Sequence, residues 1–247
     1  MGSKEAFQFK SEFLSLKDNK MCGRFTLTKS QLSEVAGLLD ASFDPAFQQQ
    51  FQPRFNIAPT DTHWIFCIAN QQVELRPSVW GLLPFWSKKP EGFINARVET
   101  IIEKPAFKDA FKNRRCVIPA DGFYEWTGSK APKQPYWFHL PQTETFLFAG
   151  LFEESRSKDR EGILTSFTIL TTAAGGTVKP YHQRMPIIIS PKIAKDWVST
   201  SPPINLKQAQ DLIHLVTDIP DIPLEAKAVS KKVNSPKVDD PTCIEAA

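Results

Sequence analysis

Arg115-Cys116-Val117-Ile118-Pro119-Ala120-Asp121-Gly122-Phe123-Tyr124-Glu125-Trp126 is the stretch on which the fold turns. Its β-branched and aromatic residues favour extended backbone, so it predicts one strand over 115–119 and another over 122–126. Residues 136–140, 145–152 and 166–172 predict three more strands. Toward the amino terminus, 64–69 and 73–76 read as a hairpin around Asn70-Gln71-Gln72, with a further strand at 79–83 broken by Pro84. Residues 56–60 read as a strand running into a turn, and 44–51, which show no period, as loop. Residues 22–27 predict a strand entering a helix at Thr28. Gln31 there completes a capping box, and Leu32, Val35, Leu38 and Leu39 share one face.

Toward the carboxyl terminus, helices are expected over 106–112, after Ser190-Pro191, and over 205–214. Residues 153–162 read as a charged loop. The tail from Lys231 is polar, with Val and Ile residues able to dock. No composition break or repeat divides the chain. The expected architecture is α+β, a single domain built on a curved, mainly antiparallel barrel-like β-sheet with short peripheral helices. Residues 1–20 are expected to be an N-terminal extension, whether a leader, an added segment or an upstream start, ahead of a domain over 21–247.

Composition narrows the function classes. The chain has 247 residues, 41% of them hydrophobic, and a net charge of +3, so a polyanion site must come from local clustering of cations. Its four cysteines, at 22, 67, 116 and 243, form no C-x-x-C and favour reduced thiols in the cytoplasm over disulfides or zinc. Cys67 and Cys116 read as core residues. No apolar run is long enough to span a bilayer as a helix.

Met21-Cys22-Gly23-Arg24-Phe25 holds the most unusual chemistry. A cysteine at a mature amino terminus combines an α-amine, of reference pKa about 7.7–8.0 against about 10.4 for lysine, with a thiol on the adjacent carbon. The amine forms an imine with an aldehyde, and the sulfur then closes a thiazolidine. Residues 1–20 must be absent or removed for this to happen.

Three other segments place polar residues in strand-like context. Asn95 and Arg97 share a face of an extended segment and suit a phosphate or carboxylate, although a buried Asn beside a surface ion pair fits equally. Glu125 lies between Tyr124 and Trp126, and apolar surroundings make a carboxyl a candidate acid or base near neutrality. Taken alone, strand alternation sends Glu125 to solvent instead. In Tyr181-His182-Gln183-Arg184, His182 is the histidine placed for proton transfer. His63, His139 and His214 read as structural or exposed. Among the aromatics, Phe85 and Trp86, followed by Ser87-Lys88-Lys89, are the best candidates for exposed stacking surfaces.

Seven motifs occur in order: Met-Cys-Gly-Arg-Phe at 21–25, Asn-Ile-Ala-Pro-Thr at 56–60, Trp-Gly-Leu-Leu-Pro at 80–84, Asn-Ala-Arg at 95–97, the 115–126 stretch, His-Gln-Arg-Met-Pro at 182–186 and Val-Asn-Ser-Pro at 233–236. Together they resemble the SOS-response-associated-peptidase family of abasic-site processing proteins over essentially all of 21–247. The resemblance implies covalent trapping of abasic sites in single-stranded DNA through Cys22, as part of DNA repair. It further implies that Asn95, Glu125 and His182 are catalytic, that Arg24, Arg97 and Arg184 hold phosphates, and that the family includes proposed thiol autopeptidases. No cofactor or metal is expected. The protein is expected to be a cytoplasmic monomer, nucleoid-associated when bound to DNA. With about three phosphates neutralised, the single-strand salt slope should lie near −2. A cysteine peptidase removing residues before Cys22, or a non-covalent single-strand binding module, are the competing readings.

Overall fold

The computed structural model describes residues 23–87, 92–127, 133–156, 163–200 and 203–247. Cys22 and the extension over 1–20 therefore lie outside the described residues, as does the 157–162 part of the predicted charged loop. The strands are β1 (Phe25–Leu27), β2 (Arg54–Ile57), β3 (Thr62–Ala69), β4 (Gln72–Trp80), β5 (Asn95–Arg97), β6 (Arg115–Ala120), β7 (Gly122–Thr127), β8 (Gln134–His139), β9 (Phe146–Arg156), β10 (Ile163–Ala173), β11 (Arg184–Pro186), β12 (Ile188–Ile189) and β13 (Glu225–Ala228). The helices are α1 (Leu32–Ala36), α2 (Pro105–Asn113), α3 (Pro191–Ser199) and α4 (Leu206–Thr217).

β3 pairs antiparallel with β4 and β6, β6 with β9, and β9 with β10. β10 returns parallel to β4, so β10-β4-β3-β6-β9 closes into a five-stranded barrel. A second sheet, in the order β13-β8-β7-β1-β2, lies against it. Phe25 of β1 is the seam: its ring stands 4.8 Å from His63, 4.9 Å from Trp80 and 5.9 Å from Phe148, all on barrel strands. The architecture expected from the sequence, α+β with a curved, mainly antiparallel barrel-like sheet, is the one observed. Among the described residues no helix is long and apolar enough to cross a membrane.

Several local expectations are corrected. The predicted strands at 73–76 and 79–83 are largely one strand, β4, and the hairpin turns on Asn70 and Gln71, whose φ values of 49° and 63° are left-handed. Thr28 does not cap α1, because its amide and hydroxyl both donate to Asp121 Oδ2 at 2.6 Å, an acceptor that sequence spacing could not supply. Asn205 does form a full capping box with Gln208 at the start of α4. Residues 44–51 contain a 3₁₀ turn, Pro45–Gln49, capped by Asp44. The tail docks: Val229, Val233 and Cys243 are buried with Tyr124 and Trp137 in a second small core on the outer face of the second sheet.

His63 supplies an acid-sensitive point in this core. It is buried and its Nε2 lies 2.9 Å from the Pro119 carbonyl. Burial pushes its pKa from 6.5 down to about 3, Arg54 acts in the same direction, and the bond to Pro119 only partly offsets them. The unfolded chain then binds the extra proton between these two values, so stability should fall as pH drops from about 6.5 toward 3, by at most about 1.4 kcal/mol per pH unit. Urea midpoints between pH 7 and 4 should show a shallower slope for His63→Gln than for the parent. Equal slopes would remove His63 as the cause.

Candidate functional site at the rim of the barrel

The site begins at the first described residues. Phe25 pairs with Phe123, and the Tyr124 amide donates to the Arg24 carbonyl at 3.0 Å. Arg24 and Tyr124 are thus neighbours across the strands, and Gly23, which is bonded directly to Cys22, comes to the level of Glu125. A Cβ at Gly23 would meet nothing within 4 Å, so the space beside this backbone is open. Glu125 is only 2% exposed. The solvent-facing reading of Glu125 is therefore wrong: β7 is covered on both faces, by the barrel on one side and the docked tail on the other, so alternation has no solvent side to offer.

A second segment closes over the same face. Phe123 pairs with Phe138 and Glu125 with Tyr136 across β7 and β8. The Tyr181 ring packs 4.6 Å from Tyr136 and 5.2 Å from Phe138, which brings the start of the 181–184 loop onto the strand partners of Glu125 and Phe123. His182 is half-buried there, and its Nδ1 sits 3.0 Å from the Arg184 carbonyl and 3.1 Å from the Arg184 amide. Either tautomer ties Nδ1 to the Arg184 backbone and fixes the ring.

Buried Thr171 of β10 joins the remaining residues. β5 runs beside β10 with Asn95 opposite Ile169 and Arg97 opposite Thr171, while β11 puts Pro186 opposite Thr171 on the other side. The Trp80 indole donates to the Ile94 carbonyl at 2.9 Å, fixing the entry to β5, and the same ring touches Phe25. Asn95 is half-buried and Arg97 is exposed. Asn95 thus follows a residue held by the ring that packs on Phe25, while His182 follows a residue packed on the strand partner of Glu125.

The three arginines are not equivalent. Arg97 is open to solvent. Arg184 donates to both carboxylate oxygens of Glu99, at 2.5 and 2.9 Å, and to the Thr171 carbonyl at 2.7 Å. Glu99 is held below the ordinary carboxylate range: its partial burial opposes this, but the Arg184 hydrogen bond and charge outweigh it. Arg24 places Nη1 on Asn56 Oδ1 at 2.9 Å and on the Val233 carbonyl at 2.8 Å. Its pKa is lowered by desolvation, against the pull of Asp61.

Phe85 and Trp86 are 65% and 53% exposed, unusual for such large apolar side chains. Their loop is closed at its base by reciprocal backbone bonds between Leu82 and Phe93, at 2.9 and 3.0 Å. Gly92 permits that closure, since a Cβ there would lie 2.1 Å from the Gly81 carbonyl oxygen.

Residues to which the sequence reading gave no role also belong to this region. Glu99 neutralises Arg184 and Asn56 anchors Arg24. The motifs at 56–60 and 233–236 contain Asn56 and Val233, so their place in the ordered series was the available signal.

A closed five-stranded barrel, with a second sheet that carries the buried Glu125 packed against it, defines a small α+β protein. The chain belongs to the SOS response associated peptidase (SRAP) family, whose model matches residues 21–236. It is 38% identical over 225 residues to the abasic site processing protein YoaM of Bacillus subtilis, covering 88% of this chain and 94% of that one. The abasic site processing protein YedK of Escherichia coli is 30% identical over 197 residues, covering 78% of this chain and 85% of that one. A crystal structure of a Bacteroides thetaiotaomicron protein shares the fold, with a TM-score of 0.76 at 23% identity over 92% of this chain and 100% of that one.

Proposed function

We propose that this protein captures abasic sites in single-stranded DNA covalently, through the amine and thiol of Cys22 when that residue begins the chain. The observation that supports it best is the buried Glu125 at the level of Gly23, beside open space and under the loop that holds His182. Gly23 is bonded directly to Cys22, so an acid or base there would serve an amine at the start of the chain.

In the proposed reaction His182 protonates O4′ of the abasic deoxyribose as the C1′–O4′ bond breaks and the C1′ hydroxyl gives its proton to solvent, which opens the ring to the aldehyde. The Cys22 amine adds to C1′, and Glu125 accepts a proton from nitrogen and returns one to the departing hydroxyl. Loss of one water leaves the imine. The Cys22 sulfur then adds to the imine carbon, its proton passes to nitrogen, and the thiazolidine closes. Asn95 orients the sugar or the amine. Arg97, Arg184 and the remaining donors of Arg24 hold flanking phosphates, and Phe85 and Trp86 stack on bases.

A chain beginning at Cys22 should form a heat-stable complex with an abasic single-stranded oligonucleotide and none with the intact oligonucleotide. No complex with either would refute the proposal, and strand nicking above background would favour a lyase in its place. Arg97→Ala should weaken non-covalent binding and reduce the magnitude of the salt slope by about 0.7, one single-strand phosphate contact. An unchanged slope would take Arg97 out of the interface.

A further inference from the structure

β1 is only three residues long, and the residue after Cys22 is glycine, whose backbone has the greatest freedom to lose. Something beyond strand pairing has to fix the chain ahead of Phe25. The docked tail supplies it from the outer face of the second sheet. Val233 is fully buried, and its carbonyl accepts from both Arg24 Nη1, at 2.8 Å, and Asn56 Nδ2, at 3.2 Å. Asn56 is also fully buried, and Nδ2 donates further to the carbonyls of Ser235 and Val238 at 3.0 and 2.7 Å, while Oδ1 receives Arg24. Asp239 receives the amides of Phe55 and Asn56 at 2.6 and 2.7 Å. Asn234, the residue after Val233, accepts the Trp126 indole N–H at 2.6 Å, and Trp126 directly follows Glu125.

The tail therefore grips the two strands that frame the site, each at its site end. Immediately ahead of β1 it holds Arg24, two residues from Cys22. On β7 it holds Trp126, one residue from Glu125. A solvent-facing tail could pack on the sheet through Val233 and Val238 alone. Directional bonds to the two residues flanking the site set a position, which apolar packing does not.

We propose that the 233–238 segment is part of the capture site, with Asn234 and Asn56 as positioning residues that align the start of β1 with Glu125. This rests on the capture reading above. Asn234 bonds Trp126 and not one of the phosphate-holding arginines, so the signature of its loss is a slower covalent step at unchanged affinity.

Asn234 is exposed, so its replacement leaves the core intact. In chains beginning at Cys22, Asn234→Ala should slow crosslinking to an abasic single-stranded oligonucleotide by about tenfold, the scale of a small misalignment. Affinity for the same oligonucleotide lacking the abasic site should stay within about twofold. Asn234→Asp keeps the acceptor for Trp126 and should restore the rate. Trp126→Phe should be as slow as Asn234→Ala, and combining the two should add nothing, since both remove one bond. If the unaltered chain crosslinks while Asn234→Ala and Trp126→Phe match its rate, the positioning role is wrong and the capture reading stands. If the unaltered chain fails to crosslink, the capture reading itself falls. A rate loss matched by an equal loss of affinity would place the tail in DNA binding and also overturn the inference.

Discussion

Glu125→Gln should slow covalent capture of an abasic single strand by about 10²-fold or more, the usual scale for losing a positioned acid or base, while leaving non-covalent affinity within about twofold. Glutamine matches glutamate in volume, keeps one acceptor oxygen and puts an NH2 donor in place of the other, so the buried position between Tyr124 and Trp126 remains filled. What it cannot do is accept and return a proton. Glu125 is 2% exposed, so bulk water is poorly placed to replace it. Single-turnover crosslinking at saturating DNA isolates the step. A variant that captures at the parental rate would remove Glu125 from the chemistry, whatever its burial.

The largest expected stability loss lies elsewhere, at Arg115. Its guanidinium is buried and every acceptor it has is a backbone carbonyl: Phe111 and Lys112 at 2.9 and 3.1 Å, Trp197 at 2.9 Å, and Thr200. Those carbonyls belong to the last turns of α2 and α3, which have no further helical donors. One side chain on β6 therefore closes two helix ends onto the barrel. Burial lowers its pKa to about 10, still protonated at neutral pH. Arg115→Met preserves much of the length and removes all the donors. It should cost about 3–5 kcal/mol, because the carbonyls of Phe111, Trp197 and Thr200 lose this donor together, while that of Lys112 keeps only a longer bond from the Ile204 amide. For a domain of this size that corresponds to a fall in melting temperature of roughly 6–20 °C. Melting scans check it, and a fall under 2 °C, well below that range, would mean that water or repacking replaces the guanidinium.

Local pattern carried most of the fold and little of the site's geometry. The strands around 115–126, the hairpin over 64–76 and the capped helices at Ser190 and Asn205 were readable because each depends on residues close in sequence. Thr28 shows the limit: Gln31 stood at the right spacing for a capping box, yet Asp121, 93 positions away, took the threonine. Glu125 shows another, since alternation assumes one wet face and the tail that covers the outer face is more than a hundred residues later. Cys22, Asn95, Glu125 and His182 came into view through the ordered motifs and their resemblance to a family. That Tyr181 would bring His182 onto the strand partners of Glu125 depends on ring packing between distant segments, which no spacing records. Likewise, net charge could count arginines but could not reveal that Arg184 is paired with Glu99 or that Arg24 is tied to Asn56.

The central claim is that the amine and thiol of one residue act together. Intact-mass measurement of a chain beginning at Cys22, incubated with an abasic single-stranded oligonucleotide and no reductant, tests it most directly. The account predicts a species at the summed mass less one water that survives denaturation, and its absence for Cys22→Ala. An adduct of equal yield and stability from Cys22→Ala, or from a chain that keeps its first twenty-one residues, would contradict it.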